Sequence, residues 1–441
     1  MKAMLVWVLG LQLFVGASIS QAADWPQWMG PERDNVWREE GIVEKFPTGG
    51  PKIVWRAPVA GGYAGPAVAD GKVYVADYDD GGADKPSNVF QRSEIAGSER
   101  VVCFDADTGK EVWHHSYPVT YQISYPAGPR CTPTVDGGKV YTLGAEGHLF
   151  CFDAESGDVL WSKDFSKDYG AKTALWGYAG HPLVDGDKLI CVVGGEGSLV
   201  VAFDKNTGEE LWKNLTSPEQ GYAPPAIVEL AGQRQLALLR PDAFTALDPE
   251  TGSELWSVPF ESDNGLVVMT PIVWKEYLFL GGYSDKSLGL KLAPDGKSAE
   301  IIWRGDMQHG VSPVNVQPIA EDGTVYGFNH TDGRLYAVDI ATGNRLWDTL
   351  APVGDGERPR RSATAFIVRQ ADRYWLFTEN GDLILANLTP EGYEELGRAH
   401  ILEPTGDAFG RPVVWCSPAF ANKRMYVRND KECVAVDLAE E

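Results

Sequence analysis

The chain has 441 residues, of which 44% are hydrophobic and 11% aromatic, and it carries a formal charge of −23. A surface of that sign repels nucleic acid and anionic lipid headgroups, which excludes both as main partners. The length suits two or three ordinary domains or one repeat fold, and the apolar fraction suffices for a sizeable core.

The first residues, MKAMLVWVLGLQLFVGASISQAA, place Lys2 before an apolar run from Met4 to Val15, with small residues at Ser20, Ala22 and Ala23. This order predicts a secretory signal peptide over 1–23, cut after Ala22 or Ala23. The apolar run is short for a membrane anchor. The first cysteine is Cys103, so a lipid-anchored form is not expected. The mature chain is expected to be exported, periplasmic or secreted, soluble and monomeric. Its six cysteines (Cys103, Cys131, Cys151, Cys191, Cys416 and Cys433) permit disulfides but show no tight pairing. Cys103, Cys151 and Cys191 lie in strand-like apolar runs, where cysteine acts as a small hydrophobe.

Residues 24–50 read as an extension packing on the domain that follows, 51–441. That domain opens with PKIVWRAP around Trp55, a strand with no blade of its own. GPAVADGKVYVAD then supplies two strands joined by a tight turn. The longest insertion follows, from Asp77 to Arg100, and two readings stand for it: a lid or partner-binding flap over one face, or a surface loop.

Next comes CFDADTGKEVW, from Cys103 to Trp113, which recurs as CFDAESGDVLW, AFDKNTGEELW, ALDPETGSELW and AVDIATGNRLW. Its aspartate, or the residue in its place, falls at Asp105, Asp153, Asp204, Asp248, Leu292, Asp339, Asn387 and Asp437, at intervals of 44 to 51 residues. Eight units of this period, built of short β-branched runs and Gly or Pro turns, predict an all-β fold: an eight-bladed β-propeller of four-stranded blades. In the second unit TPTVDG is the inner strand, KVYTLG the second, HLFCFDA the third and DVLWSKD the outer one. The phrase itself is structural. Asp105, Asp153, Asp204, Asp248 and Asp339 are expected to accept hydrogen bonds from the turn that follows. Gly109, Gly157, Gly208, Gly252 and Gly343 supply its left-handed residue. Trp113, Trp161, Trp212, Trp256 and Trp347 wedge flat aromatic area between blades. The chain ends at CVAVDLAEE, after a third strand, so the strand around Trp55 is expected to complete the last blade and close the ring.

The A-x-D-x-x-T-G-x-x-x-W repeat resembles the tryptophan-docking repeat of pyrroloquinoline quinone (PQQ) propeller proteins. DWPQWMGPERDN is similar to the W-x-x-W-x-G-P-x-R segment of their exported bacterial branch. The likeness covers nearly the whole mature chain, with variant units near Leu292 and Asn387. It implies the propeller fold and either of two functions. One is the non-enzymatic propeller that assists outer-membrane β-barrel assembly, to which this chain is closer in length and blade number. The other is a PQQ-dependent oxidoreductase acting on an alcohol, sugar or polyol. The enzyme branch implies PQQ and Ca²⁺ in a funnel, a general-base aspartate and a disulfide between adjacent cysteines. This chain has neither adjacent cysteines nor a c-type haem motif, so no cofactor is firmly implied and the catalytic residues stay unassigned. The expected function is a binding or protein-interaction module of the cell envelope.

Loops entering the inner strands share one face with loops between second and third strands, and such loops carry function. They bring Tyr63, Arg130, Trp176, His181, Tyr222, Arg240, His309, Arg361, Arg411 and Trp415 toward the expected mouth. Tyr178 enters by the same route. Guanidinium groups converging on an acidic chain would capture a small anionic ligand, and the aromatics a polyol or a flat ring. The other reading pairs each arginine with an acid in the same loops, such as Glu146, Glu196, Asp242 or Glu379, and makes the aromatics packing. A Ca²⁺ site would need several of Glu146, Glu196, Asp242, Asp285, Glu379 and Asp430 to converge with Asn329 or Asn380. His181 and His309 fit framework or ligand roles, and no metal-binding spacing singles them out.

Overall fold

The computed structural model describes residues 24–86, 89–354 and 358–440. The expected signal peptide, 1–23, lies outside the described residues. Eight antiparallel sheets follow one another along the chain, each with the strand order of a propeller blade. Blade 2 is typical: Thr134–Asp136, Lys139–Leu143, His148–Asp153 and Val159–Asp164, paired in that order. Residues 24–50 meet several blades, among them the last, where Ile42 bridges Ala439. Trp25 bridges Val68, Pro26 accepts a bond from Val135 N, and Val36–Trp37 pairs in parallel with Arg369 and Gln370 of blade 7.

The last blade joins Ala419–Ala421, Arg424–Arg428 and Glu432–Asp437 to Ile53–Pro58, with Trp55 opposite Ala435. A strand from the start of the domain thus completes a sheet from its end and leaves no open edge in the ring.

The repeated phrase builds the joint between neighbours. Asp105 Oδ1 accepts from Thr108 N at 2.8 Å, Asp204 Oδ1 from Thr207 N at 2.9 Å and Asp339 Oδ1 from Thr342 N at 2.8 Å; Asp153 and Asp248 make the same turn bonds. The turn glycine then lies under the tryptophan of the preceding blade. A Cβ at Gly157, whose φ is +76°, would stand 2.6 Å from the Trp113 ring. Trp55, Trp161, Trp212 and Trp303 cover Gly109, Gly208, Gly252 and Gly343 in the same way. Trp113 Nε1 also donates to Ala154 O at 3.1 Å and Trp303 Nε1 to Ile340 O at 2.8 Å. The chain departs from this pattern at Trp256, which donates to Gln235 Oε1 of its own blade at 2.9 Å, and at Trp347, which donates to Thr389 O.

All eight blades share one irregularity. The outer strand slips register by one residue just before its tryptophan, or before Gly397 in blade 7. A β-bulge of this kind turns the extra residue out of the alternation. It leaves Val112, Leu160, Leu211, Leu255, Leu346 and Leu396 exposed beside buried or half-buried aromatic rings.

The insertion from Asp77 to Arg100 is strand at both ends rather than loop throughout. Lys72–Asp79 and Ser93–Asp105 pair as far as Asp79 with Ser98, and Glu111–Ile123 follows them outward to Ser93. Asp77 is fully buried, accepts from Ala60 N and is held by Arg100 at 2.7 Å, an ion pair that pins the hairpin where the polar composition suggested irregular chain. Among the described residues of the insertion, 80–86 and 89–92 lie outside strands. Glu99, equally buried, accepts from the hydroxyls of Tyr117 and Tyr121 and from Ala145 N, which anchors the hairpin to blade 2.

Candidate functional site

At the centre of the ring, where the chain enters the inner strands, lies a cavity of about 240 Å³. Its walls carry Tyr63, Arg130, Trp176, His181, Tyr222, Arg361 and Trp415, so the structure brings together seven of the residues expected at the mouth. Added to them are Tyr125, Tyr283, His330, Phe90 and Phe409, which the loop reading did not single out. Phe90 belongs to segment 80–92, which folds toward the mouth: Val89 O accepts from Trp176 Nε1 at 3.0 Å, and Phe90 meets the Trp176 ring edge-on at 5.9 Å. Phe409 sits at the tip of a small hairpin, Gly406–Ala408 with Arg411–Val413, and leans on Trp415.

The residues that close the channel come from 24–50. Trp28, Met29 and Asn35 line the cavity. The Trp28 indole stacks on the His181 imidazole, and Arg33 donates to Pro182 O at 3.0 Å and to His181 O at 3.3 Å. Burial pushes the Arg33 guanidinium down to about 10, since no carboxylate among the described residues pairs with it. His181 Nδ1 accepts from Thr132 N at 3.0 Å. Burial and then the nearby Arg33 charge hold the ring neutral, far below the usual histidine range.

Arg130 is fixed by backbone carbonyls. It donates to Gly128 O, to Ser124 O at 2.9 Å and to Tyr125 O at 2.6 Å, and its guanidinium lies 5.1 Å over the Tyr63 ring. Arg361, at the rim, donates to the Tyr283 hydroxyl at 2.5 Å. Neither forms an ion pair among the described residues. Tyr178 is buried behind the wall and bonds Val193 O.

Three expected mouth residues belong elsewhere. Arg411 is taken by Glu379, a fully buried carboxylate that it meets at 2.9 Å and that also accepts from Trp415 Nε1. Arg240 bonds Thr216 O and faces Asp242 at 3.4 Å, outside the cavity walls. His309 bridges Asn344 on the turn that ends blade 6's repeated phrase, and it pairs with Asp306 at 3.0 Å on an exposed flank. Its loop descends along the outside of the ring instead of passing over the mouth, because Arg345 holds Gly310 O and Met307 O.

The expected calcium ligands do not converge. No group of three or more His, Cys, Asp or Glu suited to a metal occurs among the described residues. Among the described residues the cavity wall contains no carboxylate; Glu379 is spent on Arg411, Glu146 on Gln122 N, and Asp430 on Gly62 N. Calcium asks for six to eight oxygens, with carboxylates among them. The described residues therefore do not fit Ca²⁺-bound PQQ, and no described wall residue offers the carboxylate base that its chemistry would use. The six cysteines are free and buried, and burial pushes Cys103, Cys151, Cys416 and Cys433 up to about 12, the response of core thiols.

Comparison with known proteins places this geometry. The family model described as outer membrane protein assembly factor BamB matches residues 97–349 and 289–441. A curated relative of that name from Shewanella oneidensis is 23% identical over 340 residues, covering 70% of this chain and 84% of its own. Among solved structures, BamB from Moraxella catarrhalis superposes with a TM-score of 0.56 at 17% identity, covering 88% of this chain and 98% of that one. Quinohemoprotein alcohol dehydrogenase from Comamonas testosteroni gives 0.59 at 15% identity, covering 95% and 80%. Identities this low speak for the shared propeller fold alone.

Proposed function

The chain belongs to the family of the outer membrane protein assembly factor BamB, and we propose that it serves as an exported protein-interaction module in that process. The observation that carries the reading is the family match itself, which runs from the third strand of blade 1 to the end of the ring. A cavity wall without carboxylates among the described residues supports it against the oxidoreductase reading. The working surface is the mouth face. Two segments overhang it, the stretch at Val89 and Phe90 and the hairpin 406–413, and each presents an aromatic side chain: Phe90 is 53% exposed and Phe409 37%. Exposed aromatics beside guanidinium groups are the usual anchors of protein docking. The leader-like residues 1–23 support export, and the envelope partner would be a component of the outer-membrane assembly machinery.

A photo-crosslinking residue placed at Phe90, at Phe409 or at Leu160 on the outer flank tests this in the cell that encodes the chain. Crosslinks to an assembly component from positions 90 and 409, and not from 160, are expected. Crosslinks from 160 alone, or outer-membrane protein levels unchanged when the chain is deleted, would overturn the reading.

A further inference from the structure

The overhanging aromatics that the docking reading uses border the central cavity, and beneath them its chemistry is one-sided. Among the described residues its charged side chains are Arg130 and Arg361, and no described Asp or Glu lines it. On a chain with 62 acidic and 39 basic residues, a pocket of this sign is a local inversion. Arg130 spends its bonds on three carbonyls and keeps free N–H groups on a guanidinium those carbonyls hold rigid. Arg361 keeps four of its five.

Two further wall residues carry unused polar atoms. The Tyr125 hydroxyl and Asn315 Nδ2 are buried with no hydrogen-bond partner. A buried polar group without a partner is costly, so each such atom calls for an explanation. Burial pushes the Tyr125 hydroxyl up to about 12, so it keeps its proton and can donate. The wall is therefore rich in donors, and what it lacks among the described residues is a charged acceptor.

Backbone strain gathers at the same place. Met29, Asn35, Tyr125, Ser362 and Phe409 all line the cavity and all adopt left-handed φ, between +49° and +67°. Non-glycine residues hold that conformation at a cost, and such residues cluster where a ligand is gripped. Flat aromatic faces supply part of the apolar wall: Trp176 meets Tyr222 at 5.6 Å and Tyr125 meets Trp415 at 5.9 Å, both edge to face. A cavity near 150 Å³ takes benzene. About 240 Å³ takes a substituted ring.

We propose that this cavity binds a small aromatic carboxylate, its ring against Trp176, Tyr222 and Trp415 and its carboxylate on Arg361 and Arg130. The ligand supplies the missing acceptors, and the donors of Tyr125 and Asn315 complete its shell. Neither a metal ion nor a redox step is part of the proposal.

The test uses calorimetry and tryptophan fluorescence on the purified chain with benzoate, 4-hydroxybenzoate and indole-3-carboxylate, against acetate (charge without a ring) and benzyl alcohol (ring without charge). At least one aromatic carboxylate is expected to bind one-to-one and quench the indoles, with both controls weaker by about tenfold or more. Arg361→Ala should weaken that binding about tenfold without moving the melting temperature, and Tyr125→Phe should weaken it several-fold while leaving the fold intact. Absence of binding by all three aromatic acids would overturn the proposal. So would acetate binding as tightly as they do, or affinity untouched by Arg361→Ala.

Discussion

The indole of Trp28 lies parallel to the imidazole of His181, their centroids 4.6 Å apart and their planes 6° from coplanar. These residues are over 150 positions apart in sequence, and their contact closes the central channel. His181 Nδ1 accepts from Thr132 N, so its remaining proton sits on Nε2 and the neutral ring offers a flat face to Trp28. Arg33 locks the arrangement by bonding the carbonyls of His181 and Pro182. The segment 24–37 is thus the floor of the cavity as well as a brace across blades 1, 2 and 7.

Replacing Trp28 by alanine removes this stack and opens the floor. Trp28 is half-buried, so the loss should be about 1–2 kcal/mol in a urea titration. Trp25, almost fully buried between Val68 and Phe420, should cost more on the same change, about 3–5 kcal/mol. Equal losses at the two positions would contradict the placement of Trp28 at an open cavity.

Gly157 and Gly138 form a matched pair that isolates the contact between blades. Their φ angles are +76° and +74°, but a Cβ at Gly157 meets the Trp113 ring at 2.6 Å, whereas at Gly138 it meets nothing within 4 Å. Gly138→Ala should cost only the left-handed backbone penalty, about 1–2 kcal/mol. Gly157→Ala adds displacement of a buried indole and should cost a further 1–3 kcal/mol or so. Thermal melts of the two variants measure the difference directly, and no gap between them would mean that the ring yields.

The repeat was legible in the sequence because it is local: an aspartate, a turn and a tryptophan within eleven residues specify one blade, and eight of them a ring. The bulge before each tryptophan was not. Strict alternation would bury every second residue, yet Leu160 and Leu211 are pushed outward by a register slip that only pairing with the third strand imposes. The site was half legible. Loop order along the ring located Arg130, Trp176, Tyr222 and Trp415, since propeller topology dictates which loops share a face. It could not say that Arg411 would be claimed by Glu379 or that the loop of His309 would run down the flank, because both depend on residues from a neighbouring strand or blade. Trp28 and Arg33 stood in a segment quoted for its family likeness, and nothing near them in sequence pointed to His181.

Arg411 and Arg361 look alike in sequence and should behave oppositely when truncated. Removing Arg411 leaves Glu379 fully buried without its cation, a change that costs about 3–5 kcal/mol when a buried pair is broken. Glu379→Gln in the same chain should recover much of that loss, because the amide needs no counter-charge and still accepts from Trp415 Nε1. Arg361 pairs with no acid among the described residues, so Arg361→Ala should stay within about 0.5 kcal/mol of the parent. Chemical denaturation of the three variants decides it, and failure of the glutamine rescue would show that Arg411 acts by packing.

His330 gives the fold a predicted response to acid. Its Nδ1 lies 2.8 Å from the Ser362 hydroxyl and its ring 4.2 Å from Tyr283, and burial first, then the Arg361 charge, push it down from 6.5 to about 4. In the unfolded chain it titrates at the ordinary value, so between about 6.5 and about 4 the unfolded state binds the extra proton. Stability therefore rises with pH across that window: the full contribution stands above 6.5, declines as pH falls toward 4, and changes no further below it. His181, depressed more strongly and likewise by burial, adds a slope of the same sign. His330→Gln retains a hydrogen-bonding group for Ser362 and cannot charge, so its melting temperature should fall less steeply from pH 7 to pH 4 than that of the parent. The carboxylates common to both proteins cancel in this comparison. Parallel curves for parent and variant would mean that His330 titrates in the fold as it does in water, and that the wall around it is open to solvent.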